Sequence, residues 1–137
     1  MNDREFADAF EQCSLPNGSF HHRDHVRLAW IYLRDLSLLD ALDRFTTSLK
    51  RFAAVNGRPE LYHATITWAY LLLIHERMER TPSDDFDSFA IANPDLLTWK
   101  PSVLDDYYDP ATLGSDLARR TFLMPDARSR YASPACD

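Results

Sequence analysis

Hydrophobic residues recur at helical spacing through roughly the first 60 residues, and this pattern predicts three amphipathic helices. Asn2 and Glu5 predict a capping box at the first helix, while Ser19 and Ser37 are the predicted N-caps of the next two. Asn56-Gly57 predicts a left-handed stop after the third helix. The inward-facing positions are Phe6, Ala9, Phe10 and Cys13 in the first helix, His22, His25, Ala29, Tyr32 and Leu36 in the second, and Leu38, Leu42, Phe45, Leu49 and Phe52 in the third.

A fourth helix, from Glu60 to Arg80, is predicted to be the centre of the fold. From Leu61 to Ile74 this stretch is apolar on every side, and a helix of that kind must be enclosed by other elements. The stretch is too short to span a bilayer, and the polar residues His63, Thr65 and Thr67 interrupt it in the first two turns. Burying these three side chains costs free energy unless they find partners, so one end of the core is predicted to be polar.

Beyond Pro82 the pattern changes, because six of the eight prolines lie in the last 56 residues and the apolar clusters become short. This pattern predicts short helices and turns, with Trp99, Tyr107, Tyr108 and Phe122 as aromatic anchors. The sequence thus predicts an all-α, single-domain helical bundle over residues 1–124, with a central buried helix and a proline-rich C-terminal wrap of short helices. Residues 125–137 are predicted to form a poorly ordered tail.

The composition narrows the classes of function. The 137 residues carry a formal net charge of −6, which argues against binding to nucleic acid phosphates. Nothing at the N-terminus resembles a signal peptide, and Cys13 and Cys136 lie near opposite ends, so we expect a cytoplasmic protein without a membrane partner. The sequence does not indicate the oligomeric state.

Three histidines are predicted to meet at one end of the bundle. Helices joined by short connections usually pack as antiparallel neighbours, so the second and fourth helices should begin at the same end. His22 and His25 lie in the first two turns of the second helix, and His63 lies in the first two turns of the fourth. The positive ends of two helix dipoles would disfavour protonation of these imidazoles and favour an anionic group on a ligand.

Neutral imidazoles in this arrangement predict two kinds of chemistry. His22, His25 and His63 could bind a divalent metal ion, with Glu60 as an additional ligand, and three or four N/O ligands suit Zn, Fe or Cu. The same three histidines could instead act as catalytic acids or bases without a metal. An inward-facing histidine can also simply bond a backbone group in the core, so this structural alternative stays open.

The residues around the histidines are the predicted substrate contacts. Tyr62, Thr65 and Thr67 would orient a substrate or the imidazoles by hydrogen bonds, and Tyr32 lies on the same stripe as His22 and His25. The two threonines could alternatively return hydrogen bonds to the carbonyl groups four residues earlier.

Several segments of the chain resemble a family of small, mostly uncharacterised bacterial helical proteins. Phe20 to His25 and Leu28 to Leu33 resemble the family pattern F-x-H-R-D-H-L-x-x-A-W-x-Y-L, and Tyr62 to Thr67 resembles Y-H-E-T-I-T. The resemblance extends to Asn93 to Leu97 and to the pair Tyr107-Tyr108. It implies no particular activity. The family positions carried over to this chain are His22, Asp24, His25, Tyr62, His63, Thr65 and Thr67, with Ala64 standing where the family has Glu.

Two hypotheses about function follow. The first is a small enzyme that acts on a small, anionic organic substrate in a histidine-lined pocket, by metal-dependent or histidine acid/base chemistry. The second is a noncatalytic ligand-binding or protein-interaction module whose histidines are structural.

Overall fold

The computed structural model describes residues 1–15 and 20–127, and within these residues the chain forms helices and no strand. The predicted all-α fold class is confirmed. The α-helices are α1 (Asp3–Glu11), α2 (His22–Asp35), α3 (Leu38–Val55), α4 (Ala64–Arg80), α5 (Phe86–Ala92), α6 (Pro110–Leu113) and α7 (Asp116–Arg120). Short 3-10 helices lie at Pro59–Leu61, Pro94–Leu97 and Val103–Asp106.

The predicted caps of α1 and α3 are confirmed. The side chain of Asn2 accepts the N–H of Glu5 at 2.8 Å, and the Glu5 carboxylate accepts the N–H of Asn2 at 2.9 Å. Ser37 accepts the N–H of Asp40 at 3.2 Å. Gly57 has a φ of +74°, which is the left-handed conformation expected after α3. These local signals therefore set the ends of two of the long helices.

The predicted start of the fourth helix is wrong, because α4 begins at Ala64 and not at Glu60. His63 adopts an extended conformation and its ring accepts the N–H of Ile66 at 3.1 Å, so its side chain caps the helix. The preceding residues Pro59–Leu61 form a separate 3-10 turn that packs against α3. The apolar pattern does not reveal this break, because Leu61 continues it although that side chain is exposed.

Two helices share the centre of the fold. As predicted, α4 is enclosed, since it packs against α2 and α3 on one side and against α7 and the Val103–Asp106 turn on the other. α2 is equally central, because it contacts α1, α3, α4 and α5, and every residue from Leu28 to Leu33 is buried. The cleft between these two helices and α3 therefore runs through the middle of the core.

Three of the four predicted aromatic residues join the C-terminal wrap to the bundle. Tyr108 is buried, and Phe122 stacks on Trp68 of α4 with ring centroids 5.3 Å apart. Trp99 is 45% exposed, but its ring packs against His22 of α2 and Tyr70 of α4, with ring centroids 5.3 and 6.2 Å away, so it also joins the wrap to the bundle. For Tyr107, which is 37% exposed, anchoring stays a prediction. The prolines keep the intervening elements short, which limits how many side chains each one can bury.

Some sequence predictions fall on residues that the structure does not describe. Ser19, the predicted cap of α2, and Cys136 lie outside the described residues, as does most of the predicted tail. The folded part extends at least to Asp126, whose carboxylate accepts the N–H of Asp109 at 2.7 Å and the hydroxyl of Thr112 at 3.0 Å. Among the described helices, none has the length and apolar character needed to cross a membrane.

Candidate functional site

A cavity of about 620 Å³ opens at the end of the bundle where α2 and α4 begin and α3 ends. Cavities that bind small organic molecules commonly measure roughly 300 to 1,000 Å³. The rings of His22 and Tyr70 lie 4.9 Å apart, which joins the first turn of α2 to the second turn of α4. The three predicted histidines His22, His25 and His63 all line this cavity.

The interior of the cavity is mainly apolar. Its deep part is formed by Val26 of α2, Phe45 of α3 and Ile74 of α4, which are buried in the core between the three helices. Phe20 and Phe52 form a wall, with ring centroids 5.2 Å apart. Such a surface favours the apolar part of an organic molecule, because transferring that part from water is favourable.

His25 presents a free nitrogen to this interior. Its Nδ1 lies 3.3 Å from the carbonyl oxygen of His21, which can only accept, so Nδ1 carries the hydrogen. The ring packs on Phe20, with centroids 4.3 Å apart, and Nε2 has no hydrogen-bond partner among the described residues. Burial, together with the nearby His22, lowers the pKa of His25 to about 4. At neutral pH, His25 is therefore an uncharged hydrogen-bond acceptor.

His22 is held in a similar way by a different element. Its Nε2–H donates to the carbonyl of Leu96 at 2.9 Å, and its ring lies against Trp99, with centroids 5.3 Å apart. Burial lowers the pKa of His22, so this ring is also neutral at pH 7. Its Nδ1 makes no hydrogen bond within the described part of the chain. The Pro94–Leu97 turn thus fixes a second unpaired acceptor at the same end of the bundle.

His63 differs from the other two because both of its ring nitrogens are used by the backbone. Nε2–H donates to the carbonyl of Leu113 at 2.7 Å, while Nδ1 accepts the N–H of Ile66 at 3.1 Å. A metal ion or a proton could reach either nitrogen only by breaking one of these bonds. His63 therefore caps α4 and holds the C-terminal wrap, and we assign it no ligand or catalytic role.

Two of the predicted substrate contacts line the cavity. The Thr67 hydroxyl donates to the carbonyl of His63 at 2.7 Å, which is the backbone-bonding alternative for this residue. Tyr62 lies beneath the Lys50 ammonium group, 5.2 Å from its ring centroid, and burial raises the pKa of the phenol. Tyr62 is thus a protonated hydroxyl at the cavity wall.

The other two predicted contacts do not line the cavity. The buried Thr65 hydroxyl donates to the carbonyl of Thr121 at 2.8 Å and accepts the N–H of Leu123 at 3.1 Å. Tyr32 donates to the Glu11 carboxylate, and burial raises the pKa of this phenol. Thr65 joins α4 to the C-terminal segment, and Tyr32 joins α2 to α1, so neither is placed to contact a bound molecule.

Charged side chains lie at the mouth of the cavity. Arg58 donates a hydrogen bond to Glu60 at 2.8 Å and lowers the pKa of that carboxyl group. Arg119 also lowers this pKa, but its effect is weaker. Glu60, the predicted fourth metal ligand, is exposed and occupied by this ion pair. The side chain of Arg119 makes no hydrogen bond or ion pair with any residue that the structure describes.

A metal centre needs a closer grouping of ligands than the cavity provides. Within residues 1–15 and 20–127, no three His, Cys, Asp or Glu side chains are arranged to hold a metal ion. His22 and His25 supply two free nitrogens, and a third ligand from the protein would be required for a typical catalytic site. Binding of Zn, Fe or Cu stays a prediction.

The sequence does not reveal most of the cavity lining. Phe45 and Phe52 carry a helical apolar pattern that predicts core positions, and nothing in that pattern distinguishes a filled core from a hollow one. Arg119 lies in a C-terminal helix far along the chain, and its neighbour Arg120 has the same local sequence character. Only the tertiary contacts bring Arg119 to the cavity mouth.

No protein-family model matches the sequence, and no curated protein and no solved structure shows significant similarity to it. The resemblance to a bacterial helical family therefore stays a prediction.

Proposed function

We propose that the protein binds a small organic molecule with a largely apolar body in the cavity between α2, α3 and α4. The observation that carries this proposal is an apolar cavity of about 620 Å³ whose wall contains an unpaired imidazole nitrogen on His25. His25 lines the cavity, and its Nε2 has no hydrogen-bond partner among the described residues, so this nitrogen is available to a bound molecule. A ligand that carries a hydroxyl or N–H group would pair with it.

The unpaired atoms define which polar group the ligand carries. Nε2 of His25 and Nδ1 of His22 are both acceptors, because the opposite nitrogen of each ring donates to a backbone carbonyl. A hydroxyl or N–H group on the ligand satisfies such an acceptor, whereas a carbonyl or a carboxylate does not. The ligand therefore carries at least one hydrogen-bond donor on its buried part.

Ligand binding fits this geometry better than acid/base catalysis by His25. The best catalytic base has a pKa near the working pH, and the pKa of His25 is about 4. An imidazole with so low a pKa accepts a hydrogen bond but takes a proton poorly at pH 7. Metal-dependent catalysis is tested separately by metal analysis of the purified protein, with the double variant His22→Ala, His25→Ala as control.

The fluorescent amine N-phenyl-1-naphthylamine tests this proposal, because it combines apolar rings with one N–H donor. Titration of the full chain should show binding, with fluorescence rising to saturation. Ala53 lies on the cavity wall at the last turn of α3, so Ala53→Trp should fill the site and weaken binding at least tenfold. Ala54, the next residue, is exposed and does not line the cavity, so Ala54→Trp is the matched control.

Absence of binding to the wild-type chain, or equal binding to the two tryptophan variants, would contradict the proposal. Competition with 1-naphthol and naphthalene then tests the donor, since the two compounds differ only in one hydroxyl. We expect 1-naphthol to bind about 2- to 10-fold more tightly, which corresponds to one neutral hydrogen bond. His25→Phe, which retains a ring against Phe20 but removes one of the two acceptors, should reduce this preference.

A further inference from the structure

The mouth of the cavity suggests a second property of the ligand, and the argument rests on the proposed function. Among the described residues that line the cavity, the charged ones are Arg58, Glu60 and Arg119, all near its opening. Two cations and one anion leave one positive charge there, although the whole chain has a formal net charge of −6. The opening therefore favours an anion where the average surface disfavours one.

The two arginines at the mouth are not equivalent. Arg58 uses Nε to donate to Glu60 at 2.8 Å. Arg119 lies close enough to lower the pKa of Glu60 but forms no hydrogen bond with any described residue. The next residue, Arg120, differs because it pairs with Asp116 at 2.8 Å. The open guanidinium fork at the mouth thus belongs to Arg119, and its planar donors match a carboxylate or a sulfonate.

The polarity of the cavity lining also determines which end of a bound anionic molecule lies at the mouth. Burying a charged acid among apolar side chains is costly, and the unpaired nitrogens of His22 and His25 would repel its oxygens. At the mouth, the exposed apolar side chains of Leu61 and Trp99 border the same opening. A bound molecule with its acid group outside would cover these side chains while its apolar body fills the interior.

We propose that the ligand is an amphipathic acid, with a single anionic group paired to Arg119 at the mouth and a donor-bearing apolar body inside the cavity. This places the anion at the arginine side chains and not at the helix N-termini, where His63 already occupies the start of α4.

A matched pair of fluorescent probes tests this inference. 6-Anilinonaphthalene-2-sulfonate carries its N–H donor and its sulfonate at opposite ends of the naphthalene ring, and N-phenyl-2-naphthylamine is the same skeleton without the sulfonate. Arg119→Gln should weaken binding of the sulfonate about two- to fivefold, the range of an exposed ion pair, and leave the neutral probe unchanged. Arg120→Gln is the control with the same change one residue away, and it should alter neither probe.

A salt titration of the wild-type chain gives a second measurement that needs no variant. Binding of the sulfonate should weaken as NaCl rises to about 1 M, where charges are screened beyond about 3 Å, while binding of the neutral probe should not. The amphipathic-acid inference is wrong if the neutral probe binds but neither salt nor Arg119→Gln affects the sulfonate selectively. If neither probe binds, the proposed function itself fails.

Discussion

Replacement of His63 distinguishes a structural histidine from a functional one. In His63→Ala, α4 loses the side chain that accepts the N–H of Ile66, and the carbonyl of Leu113 loses its donor. Loss of an N-cap costs about 1 kcal/mol, and leaving a partly buried carbonyl unpaired costs about 1 to 2 kcal/mol. The free energy of unfolding should therefore fall by about 2 to 3 kcal/mol.

A second substitution separates the two contributions. Asparagine is a good N-cap, but its shorter side chain cannot also reach the carbonyl of Leu113, so His63→Asn should recover about 1 kcal/mol of the loss. Urea unfolding followed by circular dichroism measures both variants, and the melting temperature should fall by about 3 °C for each kcal/mol. His75, a half-exposed histidine of the same helix, gives the control His75→Ala, which should lie within about 0.5 kcal/mol of wild type.

The capping argument would be refuted by His63→Ala with wild-type stability, or by asparagine and alanine variants of equal stability. Binding of N-phenyl-1-naphthylamine provides an independent check on the role of His63. We expect the asparagine variant to retain that binding, because neither nitrogen of His63 is free to contact a ligand. A stable asparagine variant that no longer binds the probe would instead indicate that His63 takes part in ligand binding.

Three further predictions concern other contacts of the site and the core. Because the pKa of His25 falls from 6.5 to about 4 on folding, the unfolded chain takes up the proton first, and stability should decrease as the pH drops from about 6.5 to 4. The loss is about 3 kcal/mol at most, and urea unfolding at several pH values should show a shallower decrease in His25→Phe. Thr65→Val should cost about 1 to 3 kcal/mol in urea unfolding, because the buried hydroxyl of Thr65 is lost and the backbone groups of Thr121 and Leu123 lose their partner. As the comparison, Thr67→Val loses the hydroxyl that bonds the carbonyl of His63 and the side chain of Tyr62, but that carbonyl still accepts the N–H of Thr67 at 3.0 Å, so the cost should be about 1 kcal/mol. Tyr32→Phe should lower the melting temperature by about 5 to 9 °C without changing probe binding, because the side chain loses a hydrogen bond to the charged Glu11 and one to Ser48.

The meeting of the three histidines follows from a rule that acts between neighbouring helices. Short connections predict that α2 and α4 begin side by side, and His22, His25 and His63 indeed line one cavity. The sequence could not assign their roles, because a role depends on which carbonyl lies opposite each ring nitrogen. Leu96 and Leu113, which supply two of those carbonyls, follow the histidines by 74 and 50 residues.

The sequence by itself determined the helical fold class, the caps at Asn2 and Ser37 and the stop at Gly57, because these depend on local periodicity and on hydrogen bonds spanning three or four residues. Only the tertiary structure decided that the core is hollow between α2, α3 and α4, and that Arg119 rather than Arg120 lies at the opening. An apolar side chain has the same pattern whether it faces another side chain or an empty space. The volume that remains unfilled is set by how three helices pack, and no local interaction encodes it.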